Sequence, residues 1–324
     1  MNRFSDLALR YATATIFVAV LAWFGVQNPD FLSAESLGNI VKQSSFIGIA
    51  AIGITFVLLI AGIDLSVGAV MYLAPLIAGI LMRDLGIGAP GGLATALLAG
   101  AALGAINAAA IVGLGILPFI VTLATLFAFR GFGAFLTGSR QFDFEPAMRE
   151  FGLASVAGVP VPVVFFAILA VGAHVVLSRT TFGRQVYAIG NDPEAARKAG
   201  LPVASVRFRV YVISGACAGL AGFVMISQIG RLDAGFGEGR EFDVIAAAVL
   251  GGASLFGGIG SAFGAVFGAT LIQTVKTGLV FTGVNLYLQP ILMAAIIFLA
   301  VLIDSLRAHR LQQRKRRTIR PVAR

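Results

Sequence analysis

The chain has 324 residues, of which 58% are hydrophobic and 12% charged, with a net charge of +9. A soluble domain usually has about a quarter of its residues charged. This composition therefore excludes a soluble globular domain and leaves a polytopic membrane protein in contact with lipid. The positive charge would suggest nucleic acid in a soluble chain, but here the arginines gather between apolar runs and no nucleic-acid partner is expected.

Apolar runs near bilayer length, roughly 20 residues each, begin at once. Met1 to Arg10 is short and basic. Tyr11 to Val26 reads as a retained first span, because more spans follow and no small-residue cleavage site is evident. Gln27 to Asn39 is a polar loop with Asp30 and Glu35. The second span, about Ile40 to Ile60, breaks at Gly62–Ser66, and the third runs from about Val67 to Met82. After a glycine-rich turn over Gly88–Gly92, the fourth (about Leu93 to Val112) carries Gly100, Gly104 and Ala108 at fourfold spacing, a small-residue packing stripe. The fifth ends near Leu136, Thr137 to Val159 is a second long polar loop, and the sixth spans about Pro160 to Leu177.

Arg179 to Arg209 is the longest polar interruption. Arg179, Arg184, Arg197, Lys198, Arg207 and Arg209 stand there against only Asp192 and Glu194. Within it Asp192 is a good N-cap, Pro193 suits the first helical position and Glu194 lies in the first turn. Arg197 and Lys198 fall in the last turn, Gly200 can end the helix in the left-handed conformation, and Pro202 blocks its continuation. The signal is a helix of about two turns, roughly 10 Å long, too short to stand alone. Spans seven to ten follow at about Val210–Ile229, Phe242–Phe256, Ile259–Val280 and Leu286–Ile303, the eighth short enough to be re-entrant or broken. Residues 1–306 thus form one transmembrane domain with 179–209 as its central loop, and 307–324 form a basic tail.

With about ten spans, both termini and the central loop share one side. That side collects Arg3, Arg10, the loop cations and the basic residues of the tail, so it is the cytoplasmic one. A weak internal repeat supports this count: Gly100-x3-Gly104-Ala105-x3-Ala109 resembles Gly260-x3-Gly264-Ala265-x3-Ala269. The expected fold is all-α, with spans two to five and seven to ten forming an inverted pseudo-repeat, an arrangement that places a transport path at the repeat interface.

No catalytic constellation is present. His174 and His309 lack partners at metal-ligand spacing, no P-loop motif occurs, and the spans hold no series of acids and histidines for proton relay, which argues against an ion-coupled secondary transporter. Cys217, the single cysteine, excludes an intrachain disulfide. Asp64 and Ser66 at the Gly62–Ser66 break either cap the third span or stand beside a water-filled path. Asn107, Gln273, Asn285 and Gln289 are candidates for hydroxyl binding or for interhelical hydrogen bonds. Lys42, Arg130 and Lys276 are expected to snorkel or to pair across helices, with direct contact to the substrate the alternative role.

GIDLSVGAV (Gly62–Val70), FRGFGAFLTG (Phe129–Gly138), TTFGRQVYAIGNDPEAARKAGL (Thr180–Leu201), SGACAGLAGF (Ser214–Phe223) and AAAVLGGASLFGGIGSAFGA (Ala246–Ala265) resemble the permease subunits of ribose/xylose/galactose-type ABC sugar importers. The resemblance covers nearly the whole chain. It implies a bacterial inner-membrane subunit paired with a second permease chain, identical or similar, and a separate cytoplasmic ATPase that holds the ATP and Mg. A periplasmic sugar-binding protein would deliver the substrate. This chain itself would need no cofactor. The resemblance also implies that Asp192 to Ala199, flanked by Gly190, Asn191 and Gly200, is the helix that couples to the ATPase. Importers of branched-chain amino acids or nucleosides in the same superfamily are the nearest alternative.

Overall fold

The computed structural model describes residues 17–292 together with 294, 295, 298 and 302. The basic start with Arg3 and Arg10, the tail 307–324 and most of the expected tenth span lie outside the described residues. In chain order the helices are α1 (Phe17–Gln27), α2 (Ala34–Leu59), α3 (Val67–Leu85), α4 (Gly88–Gly113), α5 (Pro118–Thr137) and α6 (Pro146–Leu153). They continue with α7 (Val161–Arg179), α8 (Thr181–Asn191), α9 (Pro193–Lys198), α10 (Val203–Ile229), α11 (Arg240–Leu250) and α12 (Ala262–Phe281). Among the described residues seven of these, α2, α3, α4, α5, α7, α10 and α12, are long and apolar enough to cross a bilayer. The chain is a multi-pass membrane protein, although the expected ten spans are only roughly met. The eighth is short, in line with the re-entrant or broken span expected there. α11 has 11 residues, about 16 Å at 1.5 Å per residue, half of a hydrocarbon core roughly 30 Å thick. Beyond Leu250 the chain proceeds through glycine turns (251–260) to α12.

Local chemistry sets the boundaries. Ser33 Oγ accepts from the Ser36 amide to cap α2, and Ser261 Oγ accepts from the Gly264 amide to cap α12. Left-handed glycines end three of the spans: Gly86 (φ +64°) after α3, Gly138 (φ +58°) after α5 and Gly230 (φ +79°) after α10.

α2 and α10 form the centre of the bundle and pack on each other. α4 packs on α10 while α12 packs on α2; α3 touches α4 and α10 while α11 touches α12 and α2. Exchanging α2 with α10, α3 with α11 and α4 with α12 carries one set of contacts onto the other, the pairing an inverted repeat requires. The glycine stripes are nevertheless used differently. Gly100 and Gly104 lie against the backbone of α10, where a Cβ would come 2.3 Å from the carbonyls of Gly215 and Tyr211. In the second half Gly264 and Gly268 face α11, and Gly260 sits before α12 in the turn, not within the helix.

The outer faces of α4, α5 and α7 expose large apolar side chains such as Leu98, Phe127 and Ile168, as lipid-facing helices do. One end of the bundle carries α6, the hairpin of β2 (Ser155–Val156) and β3 (Val159–Pro160), and an antiparallel pair of β1 (Phe142–Asp143) with β4 (Arg231–Leu232). α8 and α9 lie at the other end, before the start of α10.

Candidate functional site

The central polar segment folds into two helices that meet in an elbow at Asp192. Thr180 opens α8, its Oγ accepting from the Gly183 amide at 3.1 Å and donating to the Val176 carbonyl at 2.6 Å. Gly183, Val186, Ile189 and Gly190 form the buried face of α8, while Arg184 stays exposed. Asp192 then ends α8 and starts α9. Its Oδ1 accepts from the amides of Glu194 and Ala195, both at 2.9 Å. Pro193 occupies the first turn, Gly200 (φ +80°) follows the helix, and the Gly200 and Leu201 amides donate to the carbonyls of Arg197 and Ala196. Ala196 is buried against the chain itself, whereas Asn191, Ala195, Arg197, Lys198 and Ala199 are exposed.

The elbow is wedged into the bundle. A Cβ on Gly190 would lie 1.7 Å from the Leu59 carbonyl, the end of α2, and 2.6 Å from the Gly258 amide. The Gly258 amide itself donates to the Leu59 carbonyl at 2.9 Å, and the Tyr187 hydroxyl donates to the Gly260 carbonyl at 2.8 Å. Burial raises the Tyr187 pKa above its ordinary value, which keeps the phenol protonated as a donor. One rigid contact thus joins α8 to α2 and to the turn between α11 and α12.

Across the Gly62–Ser66 break runs a chain of polar side chains. The Ser214 hydroxyl on α10 donates to Asp64 Oδ2 at 2.9 Å; Asp64 Oδ1 accepts from the Ser66 amide (3.0 Å) and hydroxyl (2.6 Å). Asn107 on α4 donates through Nδ2 to Ser66 Oγ at 2.8 Å, and Thr125 on α5 donates to Asn107 Oδ1 at 2.7 Å. The structure therefore brings Asp64, Ser66 and Asn107 together, all buried. Ser66 makes no capping bond to α3; the side chains tie α3, α4, α5 and α10 instead. Thr125 and Ser214 are members that sequence reasoning missed, their only signal being a hydroxyl within an apolar run.

A family model described as the branched-chain amino acid transport system permease component matches residues 36–301. The chain belongs to this permease family. It is 37% identical over 302 residues to the D-allose transport system permease protein of Escherichia coli, covering 92% of each chain. To the ribose import permease protein of Bacillus subtilis it is 36% identical, covering 89% of this chain and 90% of that one. The autoinducer 2 import system permease protein of Photorhabdus laumondii is 32% identical, with 97% and 96% covered. No solved structure matches the chain.

The remaining candidates of the permease lie apart from the polar chain. Gln273 on α12 donates to Gln43 on α2 at 2.8 Å, an interhelical bond. Asn285 is exposed and its side chain accepts from the Tyr287 amide, a local turn contact. Lys276 pairs across helices with Asp243 on α11 at 2.5 Å, and Asp243 also holds Arg240 at 3.1 Å. Arg130 on α5 donates through Nη1 to the Phe236 carbonyl at 3.2 Å. Lys42 is half-buried near the start of α2.

Proposed function

We propose that this chain is the membrane permease subunit of an ATP-driven bacterial importer for a small polyhydroxylated sugar, a pentose or hexose. The observation that carries the reading is the similarity to permeases named for D-allose and ribose over about nine-tenths of the chain. In this reading the protein sits in the inner membrane with both termini and the elbow cytoplasmic, paired with a second permease chain. A periplasmic binding protein delivers the sugar. A separate ATPase binds ATP and Mg and docks on α9, whose exposed Ala195 and Ala199 fit a cleft while Arg197 and Lys198 meet acidic groups. Closure of the ATPase pushes the elbow. The wedge at Gly190 passes that push to α2 and to the turn before α12, and so rocks the bundle between inward- and outward-facing states.

The test is a pull-down of the tagged permease from detergent with identification of the co-purifying chains. Recovery of a P-loop ATPase supports the reading, and a second permease sequence distinguishes a heterodimer from a homodimer. A chain that imports alone, driven by an ion gradient in ATP-free liposomes, overturns it. The family description favours branched-chain amino acids as a second reading. Leucine uptake by the reconstituted transporter, with no uptake of D-allose or D-ribose, would select it.

A further inference from the structure

α3 and α11 both begin inside the bundle, and their first turns meet. Gly68 in α3 leaves the space that Glu241 of α11 fills. A Cβ there would stand 2.2 Å from Glu241 Oε2 and 2.6 Å from the Gly237 carbonyl. From α5 Arg130 donates through Nη1 to the carbonyl of Phe236, the neighbour of Gly237, at 3.2 Å. The Tyr72 ring packs on Gly133, one helical turn beyond Arg130. Glu241 is 6% exposed and Tyr72 fully buried. Among the described residues Arg130 Nη2 and Glu241 Oε2 meet no partner, and the Tyr72 hydroxyl lies beside the Thr137 side chain. Native proteins rarely leave buried polar atoms unpaired, and polar side chains inside a membrane usually mark the route of a solute.

We propose that Tyr72, Arg130 and Glu241 form a contact site for sugar hydroxyls on the translocation path, at the junction of α3, α5 and α11. The site offers one donor, one acceptor and one group that is both, the complement of neighbouring hydroxyls that each donate and accept. The loop that leads into α11 exposes Asp233, Ala234, Gly235 and Glu238 at the end that carries β1 and β4. The proposal rests on the importer reading and adds the residues that would touch the cargo.

The test uses the whole transporter, this chain with its ATPase and binding protein, reconstituted in liposomes. Uptake of radiolabelled D-allose or D-ribose, whichever wild type imports, is compared with that of its monodeoxy analogues. Tyr72→Phe and Glu241→Gln should lower maximal uptake about tenfold, the effect of losing a hydrogen bond to a polar or charged partner. Half-saturation by the loaded binding protein should not move. For one analogue, lacking the hydroxyl that the residue contacts, the loss should shrink to about twofold. Tyr72→Phe deletes a single oxygen and keeps the ring on Gly133, so it carries the test if Glu241→Gln fails to fold. An equal loss for every analogue means a purely structural role and overturns the site, as does unchanged uptake. Import of leucine and of neither sugar by wild type would instead overturn the functional reading itself.

Discussion

Asp64 is buried and holds three donors, the amide and hydroxyl of Ser66 and the hydroxyl of Ser214. Removing the acceptor strands those groups in a site with little access to water, and each orphaned donor costs about 1–3 kcal/mol. Asp64→Ala should therefore destabilise the detergent-solubilised protein by about 3 kcal/mol, read as a lower thermal midpoint. Asp64→Asn keeps one oxygen for Ser66 and should cost about 1 kcal/mol. Because Asn107 reaches Asp64 through Ser66, Asn107→Ala combined with Asp64→Ala should cost less than the sum of the two single changes. Additive costs would separate the two residues. Three of the five members of this chain were legible in the sequence, Asp64 and Ser66 beside broken helix ends and Asn107 as an amide inside a span. Thr125 and Ser214 were not, because a hydroxyl in an apolar helix can satisfy itself on the preceding turn, and nothing local says that it reaches across. Glu241 was missed for a related reason. Its partner space is a glycine on α3, more than a hundred residues earlier.

At the scale of elements, α9 is where local sequence and structure agree. Asp192, Pro193 and Gly200 occupy the positions their chemistry favours, since a cap acts over three residues and needs no tertiary contact. The preceding helix α8 was hidden in a stretch read only as polar. Its buried positions, Gly183, Val186, Ile189 and Gly190, recur at helical spacing, a stripe overshadowed by the charges around it. Burial decides which alanine of α9 tests docking. Ala196 faces inward, so Ala196→Glu would bury a charge and loosen α9 itself. Ala195→Glu, on the exposed face, should leave stability within about 0.5 kcal/mol of wild type and separate ATP hydrolysis from uptake in the reconstituted transporter. Normal sugar-stimulated ATPase activity and uptake in Ala195→Glu would remove α9 from the docking surface. Gly190→Ala attacks the next link, placing a methyl group on the Leu59 carbonyl. It should cost about 3 kcal/mol as an overpacked contact and lower the thermal midpoint.

For the molecule as a whole, the exchange of α2, α3 and α4 with α10, α11 and α12 relates the packing of the two halves more clearly than their sequences do. Glycine- and alanine-rich runs align with many partners, and the two stripes that suggested the repeat turned out to face different neighbours. The β1–β4 pairing, Phe142 opposite Leu232 and Asp143 opposite Arg231, was illegible because two-residue strands far apart in the chain leave no periodic signal. Charge, by contrast, makes a definite statement about the whole. The elbow end bears Arg184, Arg197 and Lys198, whereas the opposite end mixes Arg140 and Arg149 with Asp143, Glu145 and Glu150, so the elbow should face the cytoplasm. The native Cys217 is buried, and a membrane-impermeant thiol reagent should therefore find little background in intact cells. Gly158→Cys, at the tip of the β2–β3 hairpin where the residue is exposed, should label from outside. Lys198→Cys, exposed on α9, should label only after the inner membrane is opened. The reverse pattern would invert the protein in the membrane, and with the elbow on the outer face no cytoplasmic ATPase could reach α9.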